Sequence, residues 1–461
     1  MIALRAADGS PLATESLFTA HVTDVARRTC GALERVTPKC DTLVIHTGTQ
    51  RYYPSDDQAL PFRPWPHFAR LAPVAGPDHL IVVQRGSRPR LIRVVPQDYW
   101  EEPPQSPDHP YPAALDVIEV SSPEAASKAL RSAAPTGSRC AFIGPDPAVA
   151  AALEIPPERA NPASLIAALD WERGAKTEYE VACIRSAGRR AARGHAAARA
   201  AAEQGESERR IHGAYLDATE QLDAETPYGN IVAWDDRAAV LHYQRRRLTR
   251  PDPGHTFLID AGATCFGYAS DVTRTYASAS APAPFRAALD GMDTLQRELV
   301  AAVAPGVDFV DLHARALRGV AALLREIGVV RCSVDDALER GIALPFLPHG
   351  LGHHLGLQVH DVGGRQIDPE GTSRPTPAAH PYLRTTRILA PGHVVTVEPG
   401  VYFIPLLLAP IRSGPHSDAI DWRLVDTLIP CGGIRIEDDV HVTAAGFEDL
   451  TRPLVPGHRA A

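Results

Sequence analysis

Short apolar runs closed by glycine or proline characterise the first third of the chain. They lie at residues 41–48, 79–86, 90–96 and 140–146. Runs of this length bounded by turn residues are typical of strands. A proline-rich loop at 103–112 and a helical pattern at 121–134 precede the last run. This alternation predicts an α/β N-terminal domain, which we assign to residues 1–165.

A longer helical pattern at 169–205 opens the remainder of the chain. Thr177 and Glu180 have the spacing of a capping box, which marks a helix start. Further helices are predicted at 206–222, 283–303 and 312–327, with strand pairs between them. The proline-rich, polar segment 364–384 is predicted to be a surface loop. These elements predict a second domain of the α+β class at residues 166–461.

The composition of the chain excludes some classes of binding partner and favours one cellular compartment. With 461 residues, 44% of them hydrophobic and 22% charged, the chain is long enough for two globular domains. A net charge of −8 argues against a nucleic-acid-binding surface. The sequence has no apolar signal region and no span of roughly 20 apolar residues. Its 7 cysteines form no C-x-x-C pair, which is typical of a reducing compartment. We therefore expect a cytoplasmic protein that binds neither nucleic acid nor membrane.

Four histidines crowd the segment FLPHGLGHHLGLQVHD, residues 346–361. His349 and His353 have the spacing of a helical zinc motif, but the glycines around them disfavour a helix and no glutamate follows His349. Histidine is the commonest metal ligand and proton carrier. The segment is therefore either a turn whose histidines bond to nearby backbone or part of a site that other ligands complete.

Four carboxylates end or interrupt apolar strand patterns elsewhere in the second domain. Asp260 closes one strand and Asp271 begins the next, while Glu398 ends a third. Glu437 shares one face of a strand with Arg435, by the two-residue period. A turn or an ion pair explains each carboxylate alone. Because burying a carboxylate is costly unless it is paired or bound to a cation, the four together favour a metal centre.

This ordered set resembles the five-ligand dinuclear site of the pita-bread metallopeptidases. The set is Asp260, Asp271, His353, Glu398 and Glu437. Within that family the chain is most similar to the long bacterial proline dipeptidases (prolidases), a group that includes enzymes named for hydrolysing organophosphates. The stretches PYGNIVAWDDRAAVLHY, FLIDAGATCFGYASDVTRTY, PHGLGHHLGLQVHDVGG, VTVEPGVYFIP and GIRIEDDV carry the resemblance. It implies a pita-bread catalytic domain after the α/β domain.

The resemblance also implies two Mn²⁺ ions per subunit, which suits a ligand set rich in oxygen. It implies that Asp260 binds one ion, that His353 and Glu398 bind the other, and that Asp271 and Glu437 bridge them. A hydroxide shared by the two ions is expected to attack the peptide carbonyl. Glu398 is the predicted proton shuttle.

Other side chains are predicted to act beside the metal ions. His349 and His360 are expected to be catalytic without binding metal, and His360 or His242 to donate a hydrogen bond to the oxyanion. His354 has no predicted role. The predicted substrate-binding residues are Tyr228, His242, His360, Arg435 and Asp57. Arg435 is alternatively expected to orient Glu437. The Asp57 loop is expected to reach the active site of a neighbouring subunit, which implies a homodimer.

The predicted function is hydrolysis of Xaa-Pro dipeptides with proline at the C-terminal position. One alternative is an aminopeptidase P, which uses the same five ligands on longer peptides. Another is a non-catalytic pita-bread binding module, but such modules typically lack the ligands. Hydrolysis of organophosphate triesters is a possible side activity.

Overall fold

The computed structural model describes residues 4–5, 9–37, 40–100, 102–133, 139–251 and 254–457. The chain divides into two compact units. The first comprises Met1–Cys183 with Asp368–Thr372, and the second comprises Ile184–Ile367 with Ser373–Ala461. The continuous part of the first unit extends past residue 165, and the domain boundary expected there stays a prediction.

One five-stranded sheet forms the centre of the first unit. Its strands are β1 (Thr42–His46), β2 (Leu80–Gln84), β3 (Arg90–Val94), β4 (Asp116–Val120) and β5 (Cys140–Ile143). They are ordered β4-β3-β2-β1-β5, with β1 antiparallel to β2 and parallel to β5. The helices are α1 (Thr14–Val36), α2 (Pro66–Ala69), α3 (Tyr111–Ala114), α4 (Pro123–Ala133), α5 (Pro147–Ala152) and α6 (Ala163–Gly174). Both β1 and β5 are buried along their whole length, as continuous apolar runs require.

The four predicted strands of this unit are confirmed, whereas β4 and α1 lay outside the predictions. Strand β4, with the sequence DVIEV, is an edge strand that pairs with β3 among the described residues, and its two acidic residues interrupt the apolar run that would have predicted it. Helix α1 buries Phe18, Val22 and Val25. These recur at helical spacing, but alanine and threonine between them weaken the contrast between its faces.

The helical pattern at 169–205 is divided into two helices. Helix α6 ends at Gly174, and α7 (Glu178–Glu203) begins directly after Thr177. The Thr177 amide donates to the Glu180 carboxylate at 2.8 Å, and the Glu180 amide donates to Thr177 Oγ1 at 3.3 Å. The predicted capping box is confirmed. It also explains the break, because an N-cap residue has a non-helical backbone.

The second unit contains six further helices and ten strands among its described residues. The helices are α8 (Glu208–Thr219), α9 (Ala283–Ala301), α10 (Phe309–Glu326), α11 (Val334–Glu339), α12 (Pro405–Arg412) and α13 (Trp422–Leu428). The strands are β6 (Ile231–Trp234), β7 (Thr256–Asp260), β8 (Thr264–Cys265), β9 (Tyr268–Ala269), β10 (Thr273–Ala277), β11 (Val394–Val397), β12 (Gly400–Tyr402), β13 (Gly433–Arg435), β14 (Asp438–Thr443) and β15 (Gly446–Asp449). They form three-stranded sheets β10-β7-β6 and β11-β14-β15 and the pairs β12-β13 and β8-β9.

The largest apolar core of this unit lies where α9 and α10 pack on the sheet that contains β11 and β14. Phe285 and Phe309 from the helices are buried there with Val395 and Val440 from the strands. The predicted helices at 206–222, 283–303 and 312–327 are confirmed by α8, α9 and α10. Residues 364–384, all of which the structure describes, contain neither helix nor strand, as predicted. Among the described residues, no helix combines the length and the apolar character that crossing a membrane requires.

Candidate metal centre

Two of the predicted ligands lie at one end of the β10-β7-β6 sheet. Asp260 is the last residue of β7 and pairs with Thr273, the first residue of β10. Asp271 lies two residues before Thr273, and its backbone N–H donates to the carboxylate of Asp439 in β14, at 3.1 Å from Oδ2. The antiparallel pairing therefore brings both aspartates to the same sheet edge, and Asp439 connects that edge to the second sheet.

Glu437 and His353 approach this edge from other parts of the chain. The Glu437 amide donates to the Thr273 carbonyl at 3.1 Å, and Thr273 Oγ1 donates to the Glu437 carboxylate at 2.6 Å. The His353 amide donates to Thr396 Oγ1 at 3.1 Å, and the Thr396 amide returns a bond to the His353 carbonyl at 2.9 Å. One ligand atom each from Asp271, His353 and Glu437 lies within 4.8 Å of the other two, and all three residues are buried.

Glu398 completes the convergence. It follows β11 directly, and its Oε1 lies 3.7 Å from His353 Nε2, while Asp271 Oδ2 lies 3.4 Å from the same nitrogen. Burial, together with the charges of Asp271, Glu398 and Asp260, raises the pKa of Glu437 well above its usual value. Asp271, His353, Glu398 and Glu437 thus lie together. Arg435 links Asp260 to them, because it also bonds Thr273 beside Glu437. These five residues, of which Asp260 and Glu398 are half-buried, are called the group of five.

This group has the chemistry of a site for a divalent cation. Asp260 Oδ1 is buried and has no hydrogen-bond partner among the described residues. Burial raises the pKa of Asp260, and it raises the pKa of Glu398 to about 7. Four carboxylates this close repel one another unless a cation compensates their charge. Carboxylate oxygens with one imidazole suit Mn²⁺ and similar hard cations.

Arg435 in β13 is buried and all of its guanidinium nitrogens donate to protein acceptors. Nη2 donates to Asp260 Oδ2 at 2.6 Å, Nη1 to the Tyr402 hydroxyl at 2.8 Å and Nε to Thr273 Oγ1 at 3.2 Å. In this arrangement Arg435 orients Asp260 directly and orients Glu437 through Thr273. Each guanidinium nitrogen thus bonds a protein acceptor, and the expected contact of Arg435 with a substrate carboxylate stays a prediction.

His349 lies beside the centre in a neutral state. Its Nδ1 donates to the Gly350 carbonyl at 2.8 Å, so its Nε2, 2.9 Å from the Tyr402 hydroxyl, is the acceptor of that bond. Burial and the charge of Arg435 lower the pKa of His349 to about 3. Its Nδ1 lies 3.9 Å from Glu398 Oε2. His349 therefore contacts the residues around the ligands rather than joining the group of five.

The structure also describes three further predicted residues: His360, His242 and Tyr228. The His360 ring packs at right angles to that of His353, with 4.4 Å between the ring centres, and reaches solvent on its other side. Desolvation by this packing and the charges of His353 and Arg384 lower the pKa of His360 to about 4. His242 is exposed. The Tyr228 hydroxyl is buried, and burial with the charges of Asp260, Asp271 and Glu437 raises its pKa well above the usual value.

Asp57 and His354 are not among the five predicted ligands. Asp57 is exposed in the first unit, and its predicted contact with a neighbouring subunit stays a prediction. His354, for which we predicted no role, is buried and packs its ring against His393 with 4.8 Å between the ring centres. Its backbone also bridges to Val395 in β11. His354 thus fixes the histidine-rich segment against the strand that precedes Glu398.

Sequence reasoning missed four residues that contact or approach the ligands. Thr273, Tyr402 and Asp439 follow Asp271, Glu398 and Glu437 at even spacings of two or four residues, so the strand period could have found them. Arg384 lies in the predicted surface loop, where no periodic pattern marks it. Its exposed guanidinium is one of the charges that act on His360.

Family models match both units. A model described as Metallopeptidase family M24 matches residues 182–444, and one described as Xaa-Pro dipeptidase, N-terminal domain, matches residues 16–171. The second unit, with its buried carboxylate and histidine group, thus has the fold and site of a metallopeptidase.

Two curated relatives extend the likeness over nearly the whole chain. The Xaa-Pro dipeptidase of Stenotrophomonas maltophilia (strain K279a) is 44% identical over 439 residues, covering 95% of this chain and 97% of that protein. The Xaa-Pro dipeptidase of Pseudoalteromonas atlantica is 41% identical over 441 residues, covering 95% and 98%. The chain therefore belongs to the Xaa-Pro dipeptidase family within metallopeptidase family M24.

Solved structures show the same fold at lower identity. Aminopeptidase PepP of Pseudomonas aeruginosa matches with a TM-score of 0.72 at 23% identity, covering 95% of this chain and 96% of that one. Escherichia coli aminopeptidase P with the inhibitor Pro-Leu matches with a TM-score of 0.72 at 24% identity, covering 94% and 95%. The predicted α/β N-terminal domain followed by a pita-bread catalytic domain is confirmed. The family also implies a divalent metal cofactor, for which the group of five is the candidate site.

Proposed function

We propose that this protein is a metal-dependent dipeptidase that hydrolyses Xaa-Pro dipeptides with proline at the C-terminal position. The observation that carries the proposal is the cluster of buried Asp271, His353 and Glu437, with Glu398 at 3.7 Å from His353, in a chain 44% identical over 95% of its length to an Xaa-Pro dipeptidase. We propose two Mn²⁺ ions per subunit, held by Asp260, Asp271, His353, Glu398 and Glu437. When bound, such ions polarise the scissile carbonyl and acidify a water molecule.

The protein's own groups then orient the substrate and move the proton. Glu398 accepts the proton of the attacking water and passes it to the leaving proline nitrogen. His360, which faces both His353 and solvent, donates a hydrogen bond to the developing oxyanion, with His242 beside it. Tyr228 forms part of the pocket wall. His349 holds the Tyr402 hydroxyl and so supports Arg435.

Recognition of the substrate carboxylate distinguishes a dipeptidase from an aminopeptidase P. A dipeptide carries its free carboxylate one residue beyond the scissile bond, and a cation must meet it there. All three guanidinium nitrogens of Arg435 already bond protein acceptors, whereas Arg384 is exposed and its charge acts on His360. We therefore propose Arg384, with His360, as the carboxylate-binding pair, since a guanidinium binds a carboxylate with fixed geometry.

Substrate length tests this assignment. With Mn²⁺, Ala-Pro should be hydrolysed. The value of kcat/KM should be lower by at least about 10²-fold for Ala-Pro-Ala and for C-amidated Ala-Pro, because neither presents a carboxylate to Arg384 and His360 and a site built to bind a group rejects analogues that lack it. Comparable rates on the dipeptide and the tripeptide would assign the chain to the aminopeptidase P activity instead.

Metal removal tests the centre itself. Chelation should abolish hydrolysis of Ala-Pro and Mn²⁺ should restore it, with two ions per chain by elemental analysis. A purified protein that binds no metal and hydrolyses no peptide would favour a non-catalytic binding module. Assay of a phosphotriester on the active protein would measure the proposed side activity.

We also propose that the protein acts as a cytoplasmic homodimer. All seven cysteines are free, which supports a reducing compartment. The exposed Tyr52 and Tyr53 precede Asp57 on the same exposed loop and supply apolar surface for a second subunit. Sedimentation velocity should give a dimer. A monomer at micromolar concentration would contradict this part of the proposal.

A further inference from the structure

The carboxylate of Glu208 is buried and lies outside the group of five. Glu208 is the first residue of α8 and has 0% exposure. It is not the cap of that helix, because Ser207 already fills that role. Its carboxylate accepts four hydrogen bonds, two on each oxygen. The donors are the Trp234 amide (3.1 Å), Arg237 Nε (2.7 Å), the Tyr243 hydroxyl (2.6 Å) and the Arg247 amide (2.7 Å).

All four donors belong to one stretch of chain, residues 234–247. Beyond the end of β6 its regular structure is a single short 3₁₀ helix, Asp235–Ala239. A loop with few internal bonds keeps its shape only where outside contacts hold it. The Glu208 carboxylate supplies such contacts at both ends of the stretch and at Tyr243 within it.

His242 is the residue directly before Tyr243, and it is exposed. Gln244, two residues further on, donates to the Gly229 carbonyl at 2.8 Å, and Gly229 directly follows Tyr228 of the proposed pocket wall. Tyr243 is buried, and its hydroxyl is fixed on Glu208. The position of His242 on this irregular loop therefore depends on its neighbour Tyr243.

We propose that Glu208 is a positioning residue that holds His242 at the opening of the metal centre. This inference rests on the proposed dipeptidase function and extends it by one residue that touches neither metal nor substrate. Small displacements of a catalytic group cost large factors in rate, so loss of the Glu208 bonds should lower turnover without emptying the metal site.

Glu208→Gln is the direct test. Because each oxygen accepts two N–H or O–H groups, the amide NH₂ of glutamine would face two donors in either orientation. The amides of Trp234 and Arg247 cannot reverse to become acceptors. We expect kcat/KM for Ala-Pro to fall about 10- to 10²-fold, with two Mn²⁺ still bound. Glu206→Gln is the matched control, since that carboxylate pairs with the exposed Arg250 at 3.0 Å. It should keep the wild-type rate.

A double-mutant cycle separates positioning from a general structural role. In a His242→Ala background, adding Glu208→Gln should change kcat/KM by less than about 2-fold, because the residue through which it acts is gone. An equal loss in both backgrounds, loss of bound Mn²⁺, or an unchanged rate in Glu208→Gln would overturn the inference. If that variant does not fold, Tyr243→Phe removes one of the four donors. It should give a smaller, His242-dependent loss, and a wild-type rate would overturn the inference.

A readout without activity keeps this inference distinct from the proposed function. The imidazole NMR signal of His242, identified by its absence in His242→Ala, should shift or broaden in Glu208→Gln and not in Glu206→Gln. An unchanged signal would overturn the positioning role even in a protein that hydrolyses no dipeptide. A wild-type protein that is inactive on Ala-Pro would instead refute the proposed function alone.

Discussion

The buried Arg274 of β10 should contribute more to the stability of the second unit than any exposed ion pair of the same length. Its Nη2 lies 2.7 Å from Asp438 Oδ1, and both side chains have 1% exposure or less. Its other donors reach the carbonyls of Thr273 at 2.9 Å, Glu437 at 2.6 Å and Val455 at 3.0 Å. Arg274→Met would keep much of the side-chain volume and remove every one of these bonds.

The expected loss of stability in Arg274→Met depends on the burial of the ion pair rather than on its N–O distance. Removing one partner of a buried ion pair costs about 3–5 kcal/mol, because the remaining charge stays buried. Asp438 keeps its ion pair with Arg452 Nε at 2.9 Å and its hydrogen bonds from Gln296 and Thr451, so we expect the lower end of that range. Arg318 and Asp335 form a pair of the same 2.7 Å length with side chains 58% and 73% exposed. Such exposed pairs contribute about 0–1 kcal/mol.

Urea unfolding of Arg274→Met and Arg318→Met in metal-free protein measures the difference. Metal must be removed from both, because a bound ion adds its own linkage free energy. Equal losses in the two variants would refute the reasoning that burial sets the cost. Arg274→Met should also bind Mn²⁺ more weakly, since Arg274 fixes the backbone of Glu437.

Two other predictions concern single side chains. Glu398→Gln should lose most of kcat. His360→Ala should keep both metal ions and lose about 10²–10³ in kcat, the scale for one transition-state donor. Loss of metal from His360→Ala would mean that the roles of His360 and His353 are exchanged. Glu180 is buried, which alone would raise its pKa, but Arg70 and other neighbours lower the pKa from 4.5 to about 2. The ionised Glu180 therefore stabilises the folded protein fully above pH 4.5, and this stabilisation is lost as the pH falls toward 2. Glu180→Gln should lower the free energy of unfolding by about 3 kcal/mol at pH 7 and by progressively less below pH 5. If the difference in unfolding free energy between the wild type and Glu180→Gln did not change with pH, this prediction would be wrong.

The ligand carboxylates were readable from the sequence because each breaks a local rule. Asp260 and Glu398 end apolar strands at positions where burial without a partner is costly. The two-residue period of a strand predicts that Arg435 and Glu437 lie on the same face. These are local signals, and they identified residues whose side chains the structure brings together.

What the sequence did not predict depends on contacts between distant residues. The two strands joined by the Thr273 and Glu437 bridge are far apart in sequence, and local periodicity carries no record of that pairing. The same pairing turns the Arg435 guanidinium inward to Asp260. Gly352 looked only like a helix breaker, whereas a Cβ there would lie 2.0 Å from the Thr396 carbonyl oxygen. The glycine is required for His353 to approach β11 so closely.

The loop at 364–384 lies between the ligands His353 and Glu398 in the chain. Both flanks are fixed independently of the loop, because His353 and Thr396 exchange two backbone-anchored hydrogen bonds at its base. Each doubling of a loop's length costs only about 0.6 kcal/mol in closure entropy. Insertions and deletions here would therefore leave the metal ligands in place. A change in the length of this loop would therefore alter the surroundings of Arg384 without rebuilding the catalytic centre.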